Sequence, residues 1–506
     1  MNKRGEIFKT VSGGRKLRRN AFDLSHEKKL SANLSDLTPI YLQELVPGDR
    51  FRGSTEMIIK FAPLIAPVMH RINAYIHYFF VPNRLLWDNW QPFITGGTDG
   101  KSAPVFPYLL YKETNKQYFG VGSLPDYFGI PPIAQTDTIV GETKINALPF
   151  RAYKLIYNEY YRDQTLTPFV DIQKTDAEDI QLSEIAVMRK RQWEKDYFTS
   201  AQITSQRGDD VLIPMDANYK FPSEFVDATG APLPGSGSID MQAGGATVLN
   251  GALQGTIENI ESLDATVNDL RTAIVLQQWL EKNMRAGARY VEQILAHFQR
   301  RVPDYRLQRP ELIGGGKQTV MISEVLANFE SAETAQGKMA GHGVSIGNQS
   351  GFKYTADEHG YIVGILSVLP RTCYMQGINR MFFKENKFDF YFPEFAHIGE
   401  QPIFGKEIYW DKGNVGNDTV FGYQSRFADY KYTPDSVHGE FRTNLEYWHL
   451  ARKFANRPQL NHSFTECVPD TRIFAVQDEA TQKLWIQLYN NIQAIRPMPV
   501  YGTPIL

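Results

Sequence analysis

Four groups of residues carry spacings that chemistry could use. Gly343-Val-Ser345-Ile-Gly347 spells the hydrolase nucleophile elbow, in which a serine sits on a sharp turn between a strand and a helix. Here it falls in a stretch rich in Gly, Gln and Ser, between Gln336 and Gly351, that reads as a loop. A serine there has no fixed orientation. Gly96-Gly-Thr-Asp-Gly100-Lys101-Ser102 approaches a phosphate-binding loop, but Thr95 stands where the first glycine belongs. The APVFP that follows forbids the helix whose N-terminus would hold phosphate. His70 and His77 are seven residues apart, so on one strand they point to opposite faces and cannot share a metal. His438 and His449 have Glu440 and Glu446 nearby, without HExxH spacing. These histidines read as structural. Asp176, Glu178 and Asp179 fall in a polar helix or loop and read as a solvated face. No catalytic residue, metal site or cofactor is expected, and the enzyme class recedes.

The elements around these residues point to a β-rich chain. Of 506 residues, 13% are aromatic, and Gly 39 with Pro 28 adds many turn formers. His70 to Val81 alternates Ile72, Ala74, Ile76, Tyr78 and Phe80 with Arg71, Asn73, Tyr75, His77 and Phe79, a strand covered on both faces at its far end and stopped by Pro82. Trp87, Trp90 and Phe93 follow as an aromatic cluster with more apolar surface than a strand end needs. Further strands are expected at Met57–Phe61, Gly360–Leu369, Phe388–Phe392, Glu407–Trp410, Arg472–Val476 and Leu484–Ala494. Residues 98–149 read as long loops. Phe150, Tyr153, Tyr157 and Tyr160 fall at helical spacing, and one long helix is expected from about Leu270 to Arg301, weakened at Gly287 and ended by Pro303. Strands in two blocks with helices and loops between fit one β-sandwich with large insertions better than consecutive domains.

Charge is uneven along the chain. Lys3, Arg4, Lys9, Arg15, Lys16, Arg18 and Arg19 stand against Glu6 alone, so residues 1–19 carry +6 within a total of −2. Such an arm cannot bury itself; it is either a solvated tail or a contact for phosphates. Cys373 and Cys467 are the only cysteines, which excludes a disulfide framework and suits a reducing cytoplasm. No apolar run is long enough for a membrane span, and the basic N-terminus lacks the apolar region of a signal peptide.

Several segments, in order along the chain, resemble the major capsid proteins of the microviruses, small single-stranded DNA phages, and above all their gokushovirus-like branch. They are Leu24-Ser25-His26-Glu27, Val46-Pro47-Gly48-Asp49-Arg50-Phe51, the segment 61–97, Leu307-Gln308-Arg309-Pro310-Glu311 and Glu358-His359-Gly360-Tyr361. Phe395-Ala396-His397-Ile398-Gly399-Glu400-Gln401, Tyr423-Gln424-Ser425-Arg426-Phe427 and Ala494-Ile495-Arg496-Pro497-Met498-Pro499 complete the set. Residues 205–270 depart from it.

The resemblance implies an eight-stranded viral jelly roll with long inter-strand insertions that contain helices. It also implies an icosahedral T=1 shell of sixty copies and a protrusion near the three-fold axes. On that reading residues 1–21 are an inward-facing basic arm, 22–204 with 271–506 the discontinuous shell domain, and 205–270 the variable surface insertion. The expected partners are further copies of the chain, packaged single-stranded DNA, pilot and scaffolding proteins and a host surface receptor. A small basic packaging protein is also expected, because six net charges per copy cannot neutralise a genome. The expected location is the virion, assembled in the bacterial cytoplasm, with no membrane. Trp87, Trp90 and Phe93 are candidate interface aromatics, anchoring the first insertion to the barrel or to a neighbouring subunit. Two rival readings remain: a receptor-binding spike, and a β-sandwich carbohydrate-active enzyme.

Overall fold

The computed structural model describes residues 19–134, 136–211, 267–326, 339–413, 416–478 and 481–501. The chain is mainly β. Among these residues the strands are β1 (Asn20–Asp23), β2 (His26–Ala32), β3 (Thr38–Leu45), β4 (Arg50–Phe61), β5 (Ile72–Pro82), β6 (Tyr108–Tyr111) and β7 (Thr143–Asn146). They continue with β8 (Glu311–Leu326), β9 (Met339–Thr355), β10 (Gly360–Pro370), β11 (Glu400–Phe404), β12 (Val420–Ser425) and β13 (Leu484–Arg496). One large antiparallel sheet runs in the order β1-β13-β4-β9-β8-β5-β10-β3, with β2 also paired to β13. The pairs β6·β7 and β11·β12 form separate ribbons.

Two rows of four emerge from this order. β2-β13-β4-β9 is one, β3-β10-β5-β8 the other, and β8 joins β9 between them. A single hydrophobic core draws side chains from both: Met57 and Ile59 of β4, Leu488 of β13, Ile76 of β5, and Ile362 and Leu366 of β10. The rows share their inner faces in the manner of a β-sandwich. Each fully buried aliphatic side chain contributes roughly 1.5–3 kcal/mol.

The burial patterns explain the sequence patterns. β4 and β13 alternate buried and exposed residues almost without a break, one face in the core and one in solvent. β5 and β10 are buried along both faces, save for His77 at partial exposure. Their second face packs Phe79, Val81, Val363 and Ile365 against Leu86, Trp87, Phe150, Tyr153 and Ile156. The helix Leu148–Ile156, continued by the turn Tyr157–Tyr161, supplies that layer at the expected spacing. Between β3 and β4 the Asp49 carboxylate accepts the Val46 N–H at 2.9 Å and pairs with Arg496 at 2.9 Å, while Gly48 supplies φ +90. The C-terminal end of β13 is thereby tied to this turn.

Several expectations need correction. The long helix is two helices, Val267–Ala286 and Tyr290–Phe298. Gly287, at φ +99, ends the first; a Cβ there would also lie 2.3 Å from Glu292 Oε2. Phe388–Phe392 is not a strand: a short 3-10 turn, Lys387–Asp389, is fixed by the Asp389 carboxylate, which accepts the N–H groups of Glu385 and Asn386. Glu407–Trp410 begins inside the helical turn Gly405–Ile408, and Arg472–Val476 contributes only a bridge from Phe474 to Leu64. Residues 98–149 hold the ribbon β6·β7 besides loops. The stretch around Ser345 is not a loop but part of β9.

The chain divides into two compact units, one of the residues up to Ser205 with Ala286–Leu506, the other Gln206–Arg285. Residues 212–266, most of the expected insertion, lie outside the described residues. No helix among the described residues is long and apolar enough to cross a membrane.

Candidate functional site

The motif-like strings resolve into structural roles. Ser345 is buried in the middle of β9, where Gln318 Nε2 donates to its Oγ at 2.5 Å and the Oγ donates to the Thr319 carbonyl at 3.1 Å. Gly343 and Gly347 are there for space. A Cβ would come within 2.9 Å of the Phe61 ring at the first and 2.7 Å of the Gln318 amide at the second. An elbow needs a turn and an exposed hydroxyl, and β9 offers neither. Around Gly96–Ser102 a short helix, Trp90–Thr95, precedes the glycines instead of following them. His70 bonds the Arg371 carbonyl at 2.7 Å and His77 the Tyr161 hydroxyl at 2.8 Å. Burial pushes both imidazoles down to about 4. Among the described residues no group of three or more His, Cys, Asp or Glu could hold a metal ion.

Asp176 and Asp179 overturn the solvated-face reading. Asp179 is buried against a fully buried Arg151, whose Nε donates to it at 3.2 Å. The remaining guanidinium nitrogens of Arg151 donate to the carbonyls of Leu86 and Thr175. Asp176 accepts the Trp87 indole N–H at 2.6 Å and the Asn89 amide at 3.0 Å. Together these bonds pin the segment 175–179 beneath the aromatic cluster.

Within that cluster only Phe93 offers much surface. Trp87 is fully buried in the core of its own chain, with Phe93 and Phe106 packed 5.0 and 5.3 Å from its ring, so it presents nothing to a neighbouring subunit. Trp90 is half-buried and meets His359 edge-on at 5.7 Å; Phe93 is 39% exposed. Of the basic arm, Lys3, Arg4, Lys9, Arg15, Lys16 and Arg18 lie outside the described residues. Arg19 is exposed and leads directly into β1, which pairs Asn20 with Arg496 at the end of β13.

The root of the arm therefore lies on the sheet row whose outer face is open. Lys29, Arg50, Arg52, Lys60 and Lys353 are all exposed there, and none makes a side-chain ion pair or hydrogen bond among the described residues. Register places them on one face: Arg52 is opposite both Lys353 and Gln493, Lys60 opposite Trp485, and Lys29 opposite Gln487. Asp23, Glu27 and Glu56 share the face, so five cations against three carboxylates leave it at +2. Exposed Trp485 and Tyr489 stand among these charges as flat apolar surfaces. The sequence signal was present in the alternation of Arg50, Arg52 and Lys60 along β4. Only the register shows that Lys29, Lys353 and Trp485 join them.

Comparison with known proteins identifies the family. The family model described as the capsid protein (F protein) matches residues 11–506. Capsid protein VP1 of Chlamydia phage 1 is 33% identical, covering 96% of each chain. Capsid protein VP1 of Bdellovibrio phage phiMH2K is 35% identical over 96% of this chain and 95% of its own. Capsid protein VP1 of Spiroplasma virus 4 is 28% identical over 100% of this chain and 98% of its own. Capsid proteins of this family are structural and not enzymes, and they belong to the virion. On a match that spans nearly all of its length, the chain belongs to the capsid (F protein) family of the Microviridae.

Proposed function

We propose that this chain is the shell-forming major capsid protein, a viral jelly roll of which sixty copies close into a T=1 particle around single-stranded DNA. The observation that carries the reading is the strand order. Number the eight principal strands β2, β3, β4, β5, β8, β9, β10 and β13 from first to eighth. One row then pairs first-eighth-third-sixth and the other second-seventh-fourth-fifth. Two nested Greek keys give that order, and with it the two-sheet architecture of viral capsid domains. The short β1 is an addition at the edge.

Enclosure of DNA is supported by the open sheet face, whose five cations make no side-chain bond among the described residues, by its exposed rings, and by the +6 charge of residues 1–19, the last of which, Arg19, adjoins β1. Single-stranded nucleic acid is held by this combination of phosphate-neutralising charge and stacking surfaces. The separate unit Gln206–Arg285 supports a surface insertion close to 205–270, available for host contact. The small charge of the arm supports a separate basic packaging protein.

Sedimentation of the expressed chain followed by electron microscopy tests the reading. Closed particles of one small size are expected. A stable monomer would overturn it, and a trimer that never closes would favour the spike.

A further inference from the structure

We propose that the aromatic surface built from residues 381–395 and Tyr430 is a contact between copies of this chain, a proposal that rests on the shell reading above. Phe382, Phe388, Phe390, Tyr391, Phe392 and Tyr430 are between 43% and 74% exposed. Six large rings so exposed within one region are far from the scattered single apolar residues normal on a protein surface.

Five of the rings fall into two contact groups within this region. Phe395 lies 5.4 Å from Phe388 and 6.3 Å from Phe392. Tyr391 lies 6.2 Å from Tyr430, and the Lys384 ammonium sits 3.8 Å over Tyr430 and 5.9 Å over Phe390. Phe382 belongs to the same segment, in the 3-10 turn Arg380–Phe383.

Polar bonds beneath hold the rings in place. The Asn379 side chain accepts the Met381 N–H at 3.0 Å, and Lys384 pairs with Asp429 at 2.8 Å. Arg426 donates to the Phe388 carbonyl at 3.1 Å. Asp389 closes the turn before Phe390 through the N–H groups of Glu385 and Asn386. Binding to such a surface requires little further ordering of its backbone, which favours association over a mobile loop of equal area.

Area and charge select the occupant. Aromatic side chains carry about 150–250 Å² each, so six rings half exposed offer roughly 600 Å². This approaches the ~800 Å² that one side of a standard protein interface buries. Residues 380–395 carry Arg380, Lys384 and Lys387 against Glu385, Asp389 and Glu394, a net charge of zero. A polyanion gains no attraction from such a segment, whereas a second copy meets no net repulsion. Aromatic rings are also the side chains on which interface energy concentrates. A further copy of the chain is the partner that fits.

The test uses the full chain, with Phe382→Asp and Phe390→Asp separately and together, and Phe382→Leu as the conservative control. Circular dichroism and thermal melting establish that each variant folds. The double variant is expected to raise the concentration needed for self-association, read by analytical ultracentrifugation, by more than about 30-fold. The control should assemble as wild type. Particles from the double variant at wild-type concentration overturn the proposal, even if host adsorption is lost, because the surface then faces a receptor. If the wild type forms no closed particles, the shell reading fails. The contact is still judged by whether the variant abolishes the smaller oligomers that the wild type forms.

Discussion

Trp87 Nε1 donates to Asp176 Oδ1 at 2.6 Å, joining the aromatic end of the segment 61–97 to a loop almost ninety residues further on. The indole is fully buried, and Asp176 keeps the Asn89 amide as a second partner. Trp87→Phe preserves most of the packing and removes only the bond, so it should destabilise by about 1–2 kcal/mol. Trp87→Ala leaves a ring-sized cavity against Phe93 and Phe106 and should lose about 3–5 kcal/mol. Urea unfolding of the unassembled subunit measures both. Equal losses from the two variants would mean that the bond, and not the packing, anchors this segment.

Ser345 gives a prediction that separates strand from elbow. Ser345→Ala leaves the buried Gln318 amide without its acceptor, for about 1–3 kcal/mol. Ester hydrolysis should be absent from wild type and variant alike. A wild-type esterase activity lost in the variant would contradict the placement of this hydroxyl inside β9.

Legibility in the sequence followed the range of the causes. β5, β13 and the helix at Leu148–Ile156 are legible because their periodicity records local burial. β9 is not, since its glycines answer to Phe61 and Gln318, which reach them only after the sheet has formed. The aromatic run Phe388–Phe392 has strand composition, yet Asp389 captures its own neighbours' N–H groups and turns the chain. Asp179 looked solvated because its partner, Arg151, belongs to a different element. The open cationic face depends on register between strands separated by hundreds of residues, which no local pattern encodes.

His70 and His77 should make the fold sensitive to acid. Burial is the first cause for both, with Arg191 adding to it at His77; at His70 the bond to Arg371 and the nearby Asp435 oppose it, while His449 and Arg472 reinforce it. A histidine whose folded value drops from 6.5 to about 4 binds its proton more readily unfolded. Its contribution is therefore complete above pH 6.5 and lost as the pH falls toward 4. The maximum is about 3 kcal/mol each, reduced by the residual solvent contact of both rings. His77→Gln should flatten the fall of unfolding free energy over that interval. An unchanged slope would show that His77 is not a source of the acid sensitivity.

The open sheet face should reveal itself through salt. Each phosphate contact to a single strand contributes about −0.7 to the slope of log K against log salt concentration. Replacing Arg50, Arg52 and Lys353 by Gln should therefore make the slope for an oligodeoxythymidine shallower by about 2. These residues form one side of the face beside the root of the arm, and none of their partners in the sheet is lost by the change. Trp485→Ala should act differently. It removes a stacking surface opposite Lys60, so binding should weaken by about 1–3 kcal/mol at every salt concentration with the slope preserved. Deleting residues 2–19 separates the arm from the face: the arm's seven cations account for a further change of about 5 at most, and the face variants should retain their effect in its absence. Fluorescence anisotropy of the unassembled subunit from 50 to 300 mM salt reads all three. A slope that depends on the arm alone would assign DNA contact to the arm and leave the sheet face without that task.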